Sequence, residues 1–164
     1  MKMKQKESIN TEVLVELVNR LAEISKWIAG EQPGLDAAYE KYQAFYIPVS
    51  AALKDFGIRL EYNGYAYILE AVRIIVDRNT FDIRLKTDVY PHIAAKYNIR
   101  QAACIEHNIR NAIGVAYRDN EKNPGSNMMK IFDKKPTNKQ FLMYVADFVR
   151  SSMYGSGSQM KSAS

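Results

Sequence analysis

Residues 84–118, RLKTDVYPHIAAKYNIRQAACIEHNIRNAIGVAYR, constrain the fold more than any other stretch of the chain. Two helix-length apolar patterns lie here, separated by Asn98-Ile99-Arg100-Gln101. The second pattern carries Ile105, Ile109, Ala112, Ile113 and Ala116 at helical spacing, while Glu106, His107, Arg110 and Asn111 fall at other angles. A short helix, a tight connection and a second helix with a polar face are the parts of a helix-turn-helix. Pro91 sits inside the first pattern. Proline is tolerated in a first turn, so the regular helix is expected to begin nearer Asp88 than Arg84.

The flanking sequence is also helical in pattern. Leu14, Leu17, Leu21, Ile24 and Ile28 recur at 3-4 spacing after a capping Thr11, with Val13, Val18 and Trp27 widening the stripe. This helix is expected to run to about Ala29, where Gln32-Pro33-Gly34 breaks it. A second helix is expected from Leu35 to Tyr46, ended or kinked by Pro48, then a short piece from Val49 to Phe56 closed by Gly57. A strong helix follows the polar break Glu61-Tyr62-Asn63-Gly64, burying Ile68, Leu69, Val72, Ile75 and Val76. Met128, Met129, Ile131 and Phe132 form a short apolar cluster. A last helix from about Asn138 to Ser151 is expected to bury Phe141, Leu142, Val145, Phe148 and Val149, and a flexible tail is expected from Gly155. No stretch alternates at period two, so the fold is expected to be all-α.

The chain has 164 residues, enough for one domain of about 100 residues with an extension. No apolar run approaches the ~20 residues that span a bilayer. The polar start MKMKQKESIN shows no leader pattern. The lone Cys104 fits a reducing cytoplasm. The net charge of +5 is unevenly distributed: residues 1–57 carry −1, residues 58–122 carry +2, and residues 123–164 carry +4. A basic excess confined to the C-terminal two-thirds suits a surface that faces phosphates.

Catalytic material is sparse. His92 and His107 are the only histidines, and no metal-ligand spacing or phosphate-cradling glycine motif occurs. Cys104 and His107, three apart, are the one nucleophile–base coincidence. Glu70 and Asp77 are expected to be solvated helix-face charges. No enzyme, cofactor or metal site is expected. Arg100, Arg110 and Arg118, with Lys96 just ahead, cluster around the second helix, and Asn and Glu side chains there can contact adenine and cytosine. Lysines 130, 134, 135 and 139 can hold phosphates, which position a protein without specifying sequence.

Four ordered stretches are similar to the C-terminal effector domain of the stage 0 sporulation protein A family, the sporulation response regulators. They are FGIRLEYNGYAYILEAV at 56–72, VYPHIAAKYN at 89–98, IEHNIRNAIGVAY at 105–117 and KPTNKQFLMYVADFVR at 135–150. The resemblance covers about residues 56–152. It implies a six-helix, all-α domain whose helix-turn-helix binds promoter DNA, in tandem on repeated sites, and which touches RNA polymerase sigma factor. In the family the recognition helix opens Ser-Arg-x-Glu-Arg and continues x-Ile-Arg-His. Glu106 and Arg110 carry over directly, Cys104 and His107 stand where the family has arginines, and Asn111 replaces a histidine. The connection before the helix is one residue longer, bringing in Arg100. The loop between Tyr117 and Lys135 is about four residues shorter than the family's.

The expected organisation is an N-terminal helical extension at 1–55 for dimerisation or partner binding, a helix-turn-helix domain at 56–152 and a flexible tail at 153–164. No receiver module is expected in residues 1–57, so phosphorylation of an acceptor aspartate is not the expected switch. Double-stranded DNA is the expected partner, contacted by Arg100, Glu106, His107, Arg110, Asn111, Arg118, Lys134 and Lys135. A homodimer in the cytoplasm, with a sigma-factor contact and no membrane association, completes the expectation. The alternative is an interaction protein that keeps the fold, does not read sequence, and binds a regulator or sigma factor.

Overall fold

Leu14, Leu17, Leu21, Ile24 and Ile28 form the expected stripe on helix α1 (Thr11–Ile28), and all lie between 44% and 75% exposed. The computed structural model describes residues 11–28 and 33–158. The expected frayed start, the break at Gln32, the side chains of Val13, Trp27 and Leu35, and the last six residues of the tail lie outside what it describes. The chain divides into two compact units, residues 1–41 and 42–164. Every described regular element is helical.

Helix α2 spans Pro33–Asp55 without a break, so Pro48 neither ends it nor splits off a short piece. Phe45, Val49, Ala52 and Leu53 are buried on one side, and this packing holds the helix through the missing N–H. Its end is the expected one. Gly57 takes φ +77°, the Gly57 N–H reaches the Lys54 carbonyl, and the Ile58 N–H reaches that of Leu53 at 2.9 Å. This Schellman arrangement satisfies two terminal carbonyls.

Helix α3 (Asn63–Arg78) is the central element of the second unit and contacts a π-helical turn (Leu85–Val89) and helices α4 (Tyr90–Lys96), α5 (Ala102–Asn120) and α7 (Asn138–Ser158). The short α6 (Asn127–Ile131) is capped by the Ser126 hydroxyl and buries Met128 completely. Ile68, Val72, Ile75, Ile105, Ile109, Phe141, Leu142 and Val145 meet in one core. Phe56, Phe132, Phe141 and Tyr144 join the ends of α2 and α6 to α7 through ring contacts of 5.3–6.2 Å. With the second half of α2, these helices make the expected six-helix all-α domain. α7 runs on through Gly155 to Ser158, where a flexible tail was expected, and Phe148, expected in the core, faces outward at 44% exposed.

Gly64, expected as part of a loop, lies in the first turn of α3 at its crossing with α5. A Cβ there would sit 2.8 Å from the Ala112 Cβ and closer still to the Asn108 carbonyl oxygen.

Glu70 is not a solvated helix-face charge. It is 5% exposed, and its carboxylate accepts from Arg73 and, at 2.7 Å, from Lys96 Nζ at the end of α4. Burial pushes its carboxyl up, but the hydrogen bonds and charges of Arg73 and Lys96 outweigh that and hold it below the ordinary value. A carboxyl depressed on folding stabilises the fold above its unfolded pKa, and the contribution is lost as pH falls through the folded one. Glu70→Gln should therefore cost about 1–3 kcal/mol at neutral pH. In urea unfolding across a pH series, the gap between parent and variant should close on the acid side. A gap that stays constant down to acid pH would refute this account of the pair.

Candidate nucleic-acid interface

The helix-turn-helix is built by a second Schellman turn. α4 ends at Lys96, and Asn98 takes φ +54°, a left-handed conformation that asparagine tolerates better than most residues. The Ile99 N–H reaches the Ala94 carbonyl at 2.8 Å and the Asn98 N–H that of Ala95 at 3.2 Å. Ile99, half-buried, packs against the core. The chain then extends through Arg100 and Gln101 into α5. At the other end of α4, the Arg84 N–H donates to Asp88 at 2.8 Å and closes the π turn. α4 proper therefore starts at Tyr90, with Pro91 in its first turn as expected.

α5 buries Ile105, Ile109, Ala112, Ile113 and Ala116. Cys104, His107, Asn111 and Arg118 fall on the outward face and are exposed. His107 Nε2 lies 3.0 Å from Asn111 Nδ2, so the imidazole faces Asn111 rather than Cys104. Glu106 and Arg110 run along one edge of that face, joined by a 2.5 Å ion pair, with Glu106 the more buried partner. Asn108 donates back to the Cys104 carbonyl at 2.8 Å, and its own carbonyl faces Gly64. It is a packing residue.

The structure brings Glu106, Arg110 and Lys135 to one cleft and leaves the other predicted residues apart from it. Arg100 is exposed in the turn, Arg118 near the C-terminal end of α5, and Lys134 in the connection before α7. Lys96, counted with the basic cluster from sequence, is instead engaged by Glu70. Two residues missed from sequence organise the site. Asn138 Nδ2 donates to the Tyr90 hydroxyl and to the Glu106 carbonyl, each at 3.0 Å, tying α7 to both helices of the motif. Burial pushes the Tyr90 phenol up, only partly offset by Asn138, so the hydroxyl stays protonated. The signal was present as the Tyr-Pro and Lys-Pro-Thr-Asn motifs, whose side chains meet here.

Among the described residues no group of three or more His, Cys, Asp or Glu could hold a metal, and no helix is long and apolar enough to cross a membrane. Residues 49–149, more than half of the chain, match the family model described as sporulation initiation factor Spo0A C terminal.

Proposed function

The chain belongs to the Spo0A C-terminal family, a DNA-binding helix-turn-helix module of transcriptional regulators, and on that premise we propose that it lays α5 in the major groove of promoter DNA. The observation that carries this reading is the outward face of α5, held from behind by α4 and Asn138. Asn111 and Arg110 have the chemistry to pair with adenine and guanine, and Glu106 and His107 complete the polar set. In the free protein these four are tied in two intrahelical pairs. Such i,i+4 pairs are worth about 0.3–0.5 kcal/mol, less than a good base contact at about 1–3 kcal/mol, so DNA can exchange one for the other. Arg100, Arg118, Lys134 and Lys135 are the phosphate contacts of this reading.

The proposed organisation keeps an N-terminal segment at 1–55, whose end packs into the domain core through Val49 and Leu53, a DNA-binding domain at 56–152 and a terminal segment beyond. The N-terminal segment serves as a homodimer contact in the cytoplasm. The exposed 3-4 stripe of α1 supports it, since a face that must meet its own copy is apolar and free of like charge. Leu17→Glu with Leu21→Glu should convert the dimer to a monomer in light scattering, and an unchanged mass would remove the assignment. A sigma-factor contact is part of the same proposal, tested by co-purification of the sigma subunit with the full chain; failure to recover it would remove that contact.

A second reading has its own support. Cys104 and His107 occupy positions where the family carries arginines, which favours a protein that keeps the fold and binds a regulator or sigma factor without reading sequence. Selection from a random duplex pool separates the two. A reader recovers a short common motif. Retention without a motif would favour the interaction protein.

A further inference from the structure

A cleft of about 650 Å³ opens beside α5. It is lined by Arg84 and Lys86 of the π-turn segment, Glu106 and Arg110 of α5, and Lys135 and Lys139 ahead of and within the first turn of α7. These are five cations and one carboxylate, a net of +4, and the carboxylate is already neutralised by Arg110. No side-chain ion pair or hydrogen bond engages Arg84, Lys86, Lys135 or Lys139 among the described residues. Asp88 of the π turn takes the Arg84 backbone N–H and the Thr87 hydroxyl, faces Arg78 at 3.8 Å and also feels the Arg84 charge. The cations come from segments some 50 residues apart in sequence, so the fold concentrates them.

Uncompensated charge of one sign in a concave site focuses field and attracts anions. Arg84, Lys86, Lys135 and Lys139 are all solvent-exposed and come from two separate segments of the chain. That suits a chain of phosphates lying along the cleft better than a single anion that must be enclosed. The cleft also shares Glu106 and Arg110 with the edge of the proposed reading face, so a strand lying in it runs beside the groove that α5 enters. We propose that this cleft holds one strand of the DNA sugar-phosphate backbone, with Arg84, Lys86 and Lys139 joining Lys135 as phosphate contacts. The proposal rests on the DNA-binding reading above. It adds three contacts and a path for the strand.

The test is the salt dependence of binding by the full chain to two duplexes, one selected and one scrambled. Each phosphate contact contributes about 0.9 to the slope of log affinity against log salt. Lys86→Ala with Lys139→Ala should therefore flatten the slope by about two and weaken binding roughly tenfold or more at low salt, by the same factor on both duplexes. Arg84→Ala with Lys135→Ala should do the same. Lys54→Ala with Lys122→Ala, which removes equal charge outside the cleft, should leave the slope unchanged. Binding by the parent with unchanged slopes in both cleft variants would overturn the strand path while leaving the DNA reading intact. Failure of the parent to bind either duplex would overturn both. Saturable binding of inorganic phosphate, abolished by the cleft substitutions while the DNA slope stays as in the parent, would make the cleft a small-anion site and overturn the proposal.

Discussion

Gly64→Ala should lower stability by about 2–3 kcal/mol, or roughly 10 °C in melting temperature, although alanine is the better helix former. Propensity alone would favour the variant by about 1 kcal/mol. Packing decides the sign. The added methyl would meet the Asn108 carbonyl and stand 2.8 Å from the Ala112 Cβ, and a backbone oxygen cannot turn aside as a flexible side chain can. α3 and α5 must therefore separate along their crossing, which loosens Ile68 and Ile109 from a core where both are fully buried. Because α5 is the proposed recognition helix, the variant should also bind DNA more weakly well below its melting temperature. Gly64→Val should not fold. Thermal unfolding of Gly64→Ala at or above the parent's temperature would show that the crossing is not the tight contact described.

The second large effect lies on the face of α5. Arg110→Ala with Asn111→Ala should lose roughly 100-fold or more of the preference for a selected duplex over a scrambled one, at about 1–3 kcal/mol for each bidentate contact. Binding to scrambled duplex should change little, since only Arg110 contributes charge. Both side chains are exposed, so the fold should survive, with a small cost from leaving Glu106 without its partner. The complementary pair Glu106→Ala with Arg110→Ala tests the other edge in the same way. Parent-like discrimination in both doubles would point to binding through phosphates alone and favour the interaction reading.

Much of the fold was legible in the sequence because its signals are local. The 3-4 spacing of Ile105, Ile109 and Ala112, the stop at Gly57 and the position of Pro91 each depend on neighbours within a turn or two. What was not legible depends on contacts between distant segments. Pro48 reads as a break because its own chemistry opposes a helix, yet Phe45 and Val49 bury enough to carry α2 past it. Glu70 reads as a surface charge until Lys96, brought near by the packing of α4 on α3, covers it. Gly64 reads as a loop residue, and only the approach of α5 explains why a side chain is missing there. At the candidate site the buried and exposed faces of α5 were legible residue by residue. Arg84 and Lys86 were passed over as phosphate partners, and Lys139 was not joined to them in one cleft, because nothing in the sequence places 84–86 beside 135–139. The pairing of Tyr90 with Asn138 gives a physical reason for two motifs that sequence comparison could only match as words.

Whether this chain binds duplex DNA through its helix-turn-helix is read out by a gel-shift series on genomic fragments from about 50 mM to 200 mM salt. Retardation at the low end should fade as salt rises, by about 10³-fold or more in affinity if six or more phosphates are engaged. No retardation of any fragment at the lowest salt would contradict that binding.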